Sequence, residues 1–258
     1  MTTKKASEHL FSRRETLRLL GIGGTAALVG LADKRPISLR PEAVRSSIAG
    51  ANSLACVVRP AQTEGPYFID ERLNRADIRT DPSSNSIKEG MPLRLKFNVA
   101  KVDDRGSCSP LPRALVDFWQ CDALGVYSDV KDIGGLFDTR GQKFLRGYQV
   151  TDNNGSVELT TIYPGWYPGR TVHIHFKIRI PQGSQRAREF TSQLYFDDSF
   201  TDQIYAKPPY NTKGGRRMRN EGDNIFRAGN SGAKLILDVT RDGQGCFGRF
   251  DIGLAGMS

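Results

Sequence analysis

The chain has 258 residues, of which 38% are hydrophobic, and a formal charge of +9 at pH 7. That apolar share, set out in alternating runs, excludes a disordered polyelectrolyte. Nucleic-acid binding is excluded as well, because no basic stripe is interleaved with exposed aromatics on one element. Much of the excess charge lies in the first fifth of the chain and in KGGRRMRNEGDNIFR near its end.

Residues 1–50 read as an export leader. SRRETLRLL (Ser12 to Leu20) carries adjacent arginines ahead of GIGGTAALVGLA, a run too short and too rich in glycine to remain in a bilayer as a spanning helix. A basic segment followed by a modest apolar one is the layout of a secretory signal, and Arg13-Arg14 points to the twin-arginine route. A basic leader with a chance arginine pair is the bland alternative. No clean A-x-A site follows, and SLAC (Ser53 to Cys56) makes a poor lipobox because its leucine is one position late. The expectation is a periplasmic or extracellular protein with no stable membrane insertion after processing, its single domain spanning residues 51–258.

Four cysteines, Cys56, Cys108, Cys121 and Cys246, show no C-x-x-C spacing, which argues against a zinc ribbon. An exported chain favours a disulfide, to be sought among Cys56, Cys108 and Cys121, which flank neighbouring strands. Buried free thiols are the other outcome, and the sequence does not fix the pairing.

A period of two dominates the domain. In LRLKFNVAKV, Leu93, Leu95, Phe97 and Val99 alternate with Arg94, Lys96 and Asn98, the pattern of a half-buried strand. ALVDFWQCD continues as a strand that ends at ALGVYSD. FLRGYQVTDNNGSVELTTI reads as a hairpin, since Asn154-Gly155 supplies positive-φ turn residues between two alternating runs. TVHIHFKIRI alternates almost without a break, and TSQLYFDD, AKLILDV and GRFDIG add further short strands. One helix is expected over DSFTDQIYA, capped by Asp198 or Ser199. The fold class is therefore all-β, an antiparallel β-sandwich with long loops and few short helices.

Residues i and i+2 of a strand share a face, so His173 and His175 project together, opposite Val172, Ile174 and Phe176. Both imidazoles can reach one ion. The competing reading is a plain polar face continued by Lys177 and Arg179. The chain's third histidine, His9, lies in the leader. PGWYPGR is a turn that aims Tyr167 back over the start of the strand, and Tyr127 closes WQCDALGVYSD at a strand end. Zinc or a ferrous triad would want a third histidine or a carboxylate. Two imidazoles and two phenolates suit a hard, highly charged ion, with ferric iron foremost.

The ordered series TEGPYF (Thr63 to Phe68), DFWQCDALGVYSD, FLRGYQVTDNNG, TIYPGWYPGRTVHIHF, QLYFDD and RNEGDNIF covers nearly the whole domain. With it the chain resembles the intradiol ring-cleavage dioxygenases, the family of catechol 1,2-, protocatechuate 3,4- and hydroxyquinol dioxygenases. The resemblance implies a prealbumin-like sandwich and one non-haem Fe(III) per subunit, bound by Tyr127, Tyr167, His173 and His175. Tyr167 is preferred to Tyr163 because the family's ligand sits in a Pro-Gly-x-Tyr-Pro turn, here Pro164 to Pro168. The implied substrates are a small aromatic diol and O2, and the implied product is a muconate-type diacid from cleavage between the hydroxylated carbons.

The same resemblance implies further roles. Tyr167 leaves the metal and takes a substrate proton, Arg170 stabilises developing charge, and Gln193 donates to a substrate oxygen. The TEGPY loop covers the cleft, with Gly65 and Pro66 setting its backbone and Tyr67 packing over the ring or closing the core. Tyr163 packs or lines the pocket. Arg216, Arg217 and Arg219 hint at an anionic substrate, although the identity of the catechol stays open. A homo-oligomer is compatible with the sequence. A cupin is disfavoured by the missing glutamate and third histidine. A non-catalytic β-sandwich binding module, prealbumin-like or starch-binding-like, is the alternative that loss of a ligand would signal.

Overall fold

The computed structural model describes residues 56–256 except residue 217. The predicted leader and Arg217 lie outside the described residues. In chain order the strands are β1 (Pro92–Val102), β2 (Cys108–Pro110), β3 (Leu115–Trp119), β4 (Arg146–Val150), β5 (Ser156–Ile162), β6 (His173–Gln182) and β7 (Gln185–Tyr195). Helices α1 (Asp198–Tyr205) and α2 (Asn224–Arg227) come next, then β8 (Asp238–Asp242) and β9 (Gly245–Ala255). One sheet runs β2-β1-β9-β8, with β5 also paired to β1; the other runs β4-β3-β6-β7. The fold is the β-sandwich that the alternation predicts.

Its core is the set of inward side chains from both sheets. Phe97 of β1 is 5.4 Å from Phe118 of β3, 4.9 Å from Phe176 of β6 and 5.4 Å from Phe250 of β9, ring centre to ring centre. Such aromatic contacts add to the burial of the rings themselves. Ile174, Phe176 and Ile178 are fully buried on the inner face of β6. That burial fixes the register of β6, because a slip of one residue would turn the histidines inward.

Several elements differ from expectation. The turn at Asn154-Gly155 is present, with Gly155 at φ +72° and its missing Cβ position 2.2 Å from the Val99 carbonyl oxygen. The flanking strands, however, do not form a hairpin: β4 pairs with β3 and β5 with β1, so the turn carries the chain between sheets. Alternation and turn residues report a reversal and leave the ladder partner unspecified. Within AKLILDV the first half is a 3₁₀ turn (Gly232–Leu235), and the strand starts at Asp238. The cap of α1 is Asp197, whose carboxylate accepts from the Phe200 N–H at 2.8 Å. One pair, β1 with β9, is parallel over Leu93–Val102 and Cys246–Ala255, which a period of two cannot distinguish from antiparallel pairing.

Cys56 and Cys108 form a disulfide that ties the segment entering the domain to β2. Cys121 and Cys246 are buried free thiols. No helix among the described residues is long and apolar enough to cross a membrane.

Candidate active site

The outer face of β6 carries His173 and His175, and it is not open to solvent: each histidine is only 2% exposed. The His175 ring stacks on Trp119, its cross-strand partner, at 4.9 Å and 7°. Gly65, at φ +74°, also lies against this ring, and an added Cβ there would stand 3.3 Å from it. The His173 Nδ1–H donates to the Thr171 carbonyl at 2.7 Å, which leaves its Nε2 lone pair facing away from the backbone. His175 Nε2 lies 3.0 Å from His173 Nε2, and the Tyr167 hydroxyl 3.1 Å from the same atom. Tyr127 completes the cluster, its ring 5.7 Å from that of Tyr167 and 6.4 Å from that of His175.

The electrostatics of these four groups agree. Burial, reinforced by the nearby Arg170 cation, pushes the His173 pKa down to about 3. Burial, together with His173, puts His175 well below the usual imidazole value. Both rings are therefore neutral and able to donate lone pairs at ordinary pH. Burial raises the Tyr127 and Tyr167 phenols well above their ordinary value, so either phenolate needs a strong positive charge beside it. The Tyr127 hydroxyl is fully buried and has no hydrogen-bond partner among the described residues. An orphaned buried hydroxyl costs about 1–3 kcal/mol, a penalty that a cation on its oxygen would remove. The donor set thus fits a highly charged metal ion. Among the described residues no group of three His, Cys, Asp or Glu could hold an ion.

Arg170 stands at the edge of the cluster, its Nη1 3.5 Å from His173 Nε2. Its Nε donates to Asp223 Oδ2 at 2.9 Å and its Nη2 to Gln193 Oε1 at 2.5 Å. Asp223 is 1% exposed; Oδ2 also accepts from the Thr171 N–H, while Oδ1 caps α2 through the Ile225 and Phe226 N–H groups. Gln193 accepts from the Tyr195 hydroxyl as well, at 3.0 Å, and donates to the Thr63 carbonyl at 2.9 Å. The structure thus makes Gln193 a positioning residue for Arg170 and for the loop that starts at Thr63.

A family model described as dioxygenase matches residues 63–210, a span that contains all four donor residues together with Arg170 and Gln193. The chain belongs to the intradiol ring-cleavage dioxygenase family. It is a ring-cleaving dioxygenase enzyme. It is 29% identical over 200 residues to the protocatechuate 3,4-dioxygenase beta chain of Burkholderia cepacia, covering 74% of this chain and 77% of that protein. Among solved structures it is similar to an intradiol ring-cleavage dioxygenase from Tetranychus urticae, with 34% identity, a TM-score of 0.66, and coverage of 79% of this chain and 97% of that one. It is also similar to the dioxygenase domain of a carbohydrate-binding fusion protein from Streptomyces sp. SirexAA-E, with 32% identity, a TM-score of 0.52, and coverage of 77% and 99%.

In this dioxygenase a pocket of about 500 Å³ opens onto Tyr127 and Tyr167. Tyr67 lines it, its ring 4.7 Å from that of Tyr127 and its hydroxyl donating to Asp132 Oδ1 at 2.6 Å. Three residues expected at the pocket lie outside its lining, and the first of them, Gly65, packs against His175 instead. Pro66 is exposed and outside the lining. Tyr163 is a core residue with no exposure, its ring 4.4 Å from that of Phe196 and its hydroxyl bonded to Thr201 at 2.7 Å. Of the arginines expected to meet an anionic substrate, Arg216 pairs with Asp198 and Asp202 on α1 and Arg219 with Asp202, and neither lines the pocket. The sequence reading missed Asp223, although it stands in the RNEGDNIF motif, and the pocket wall at Asp132–Phe137. A signal for that wall existed in DIGGLF, where large apolar side chains flank a glycine pair within a loop.

Proposed function

We propose that this enzyme cleaves a catechol-type ring between its two hydroxylated carbons, with one non-haem Fe(III) held by Tyr127, Tyr167, His173 and His175. The observation that carries the reading is the convergence of two neutral imidazoles, the buried Tyr127 and the half-buried Tyr167, with both tyrosines lining a pocket and the Tyr127 hydroxyl unpartnered. Ferric iron, when bound, supplies Lewis-acid activation of the diol toward O2. Both oxygen atoms enter the product, a muconate-type diacid, so no external reductant is required. Relatives named as a protocatechuate 3,4-dioxygenase chain and as the catechol 1,2-dioxygenase of Candida albicans support a diol substrate.

The chain's own groups have separable tasks. His173 and His175 offer fixed lone pairs, the first set by the Thr171 carbonyl and the second by the stack on Trp119. Tyr127, buried and free of hydrogen bonds, can give up its proton without breaking any. Tyr167 sits on an irregular turn, lines the pocket and lies within hydrogen-bond reach of His173, which makes its oxygen the one able to receive a proton from a diol hydroxyl. Arg170 keeps its charge at every relevant pH and is held rigid by Asp223 and Gln193, so it stabilises negative charge developing on the diol oxygens. Tyr67, Gly65 and Phe68 exclude water from the His175 side.

The test is a visible spectrum of the iron-loaded domain before and after anaerobic addition of catechol, followed by oxygen uptake. A tyrosinate-to-metal charge-transfer band that shifts on binding, with a diacid product, is expected. A colourless protein after ferric reconstitution would overturn the proposal. Export by the twin-arginine route is part of the same reading, and the Cys56–Cys108 disulfide supports an oxidising destination. Fractionation that recovers the full-length protein in the cytosol would refute it.

A further inference from the structure

The pocket carries its own information about the diol. A ring held by its two oxygens over Tyr127 and Tyr167 must turn its remaining edge toward the walls. Those walls are apolar: Leu124 and Val126 on one segment, Ile133, Leu136 and Phe137 on another. Ile133 is 82% exposed, Leu136 76% and Leu124 43%, so large apolar side chains stand in water around one opening. Contiguous exposed apolar surface at a cleft marks a binding surface.

Charge at the opening points the same way. Asp132 lines the pocket and is held in place, with Oδ1 accepting from the Tyr67 hydroxyl at 2.6 Å and Oδ2 from the Leu136 N–H at 3.1 Å. It makes no ion pair among the described residues. The cation of the lining, Lys213, donates to the Leu124 and Trp166 carbonyls at 2.6 and 2.8 Å and sits 4.7 Å from the centre of the Trp166 ring. A carboxylate entering the pocket would therefore meet the fixed Asp132 anion, which offsets the Lys213 cation, and two of the three Lys213 N–H donors are already taken by backbone oxygens. Transfer of a charged group out of water without a partner is costly.

We infer that the preferred substrates are catechols bearing a neutral, apolar ring substituent, with Asp132 as the residue that disfavours carboxylated catechols and Leu136 and Ile133 as the surface that receives the substituent. The inference rests on the ring-cleavage reading above and adds the substrate class. Each methylene buried against the wall is worth about fourfold in binding, and the ring position carrying it decides how much of that is realised.

The experiment measures kcat/KM by oxygen uptake of the iron-loaded enzyme for catechol, 4-methylcatechol, 4-ethylcatechol and protocatechuate. The expected order rises from catechol to the ethyl compound by about two- to fourfold per carbon, with protocatechuate about tenfold or more below catechol. Asp132→Asn should raise protocatechuate relative to 4-methylcatechol several-fold, and Leu136→Ala should reduce the 4-ethylcatechol to catechol ratio. Retention of the visible iron band shows that each variant keeps its centre. Protocatechuate turned over as well as 4-methylcatechol, or selectivity ratios unchanged in both variants, would overturn the inference while leaving ring cleavage intact. No turnover of any diol by an iron-loaded enzyme would overturn both.

Discussion

Replacing Asp223 by alanine tests the claim that one buried carboxylate both caps the short helix α2 and aims Arg170. Its Oδ1 caps α2 through two N–H groups, at 2.7 and 3.3 Å, and loss of such a cap costs about 1 kcal/mol. Its Oδ2 holds Arg170 Nε at 2.9 Å and the Thr171 N–H at 2.8 Å. The Arg170 side chain is only 15% exposed, so stranding it costs about 3 kcal/mol, at the lower end for a broken buried pair. The total is about 4 kcal/mol, which for a domain of about 200 residues lowers Tm by roughly 8–16 °C. Thermal melts of the purified variant measure this directly. Oxygen uptake should show a lower kcat with a smaller change in KM, because Arg170 acts on developing charge. Asp223→Asn should fall between the alanine variant and the wild type, since its amide cannot accept on both sides. A Tm within about 2 °C of wild type, with unchanged kcat, would refute the coupling of cap, arginine and site.

Tyr127→Phe removes a buried hydroxyl that has no partner, so the metal-free variant should be as stable as wild type or up to about 1 kcal/mol more stable, while its ferric affinity and visible band collapse. Loss of stability in the metal-free state would contradict the unpartnered hydroxyl. The metal-free protein should weaken on acidification: with the His173 pKa lowered to about 3 in the fold and near 6.5 in the unfolded chain, the unfolded state binds more protons between those values. That stability is full above about pH 6.5 and is lost as pH falls toward 3, so denaturant midpoints that do not change between pH 4 and 7 would refute it. Reduction of Cys56–Cys108 reopens a 52-residue separation and should cost about 4 kcal/mol on the chain-entropy relation, read as a lower midpoint in the reduced protein. An unchanged midpoint would show that the segment before β1 is held by other contacts.

The parts of the fold legible in the sequence were those encoded by a local period. β1 and β6 announce themselves by alternation, and the same period places His173 and His175 on one face before any contact is known. Partner choice was not legible. The turn at Asn154-Gly155 has the residues of a hairpin but joins two sheets, because the surface each strand buries is set by residues far away in sequence. AKLILDV is apolar enough for a strand, yet its first half is folded into a 3₁₀ turn beside α2. Tyr127 and Tyr167 were found through motifs, since nothing in a loop's local pattern says that two tyrosines 40 residues apart will meet. Asp223 and Asp132 were not singled out for the same reason: each acts through a partner brought to it by the chain's path. The ion pairs of Arg216 and Arg219 with Asp198 and Asp202 were not legible either, since no local pattern announces that α1 supplies carboxylates to that charge cluster.

The last strand of the chain lies inside its sheet, with β1 on one side and β8 on the other. A ribosome therefore cannot release this domain in instalments. Until residues 245–255 have been synthesised, β1 presents an open hydrogen-bonding edge along ten residues and β8 has no neighbour. Closure joins the first strand to the last, a contact of high sequence separation that forms slowly. Any shortening that reaches β9 divides the sheet through its middle, so tags and fusions belong beyond its end, and the nascent chain depends on protection from other edges until that strand arrives.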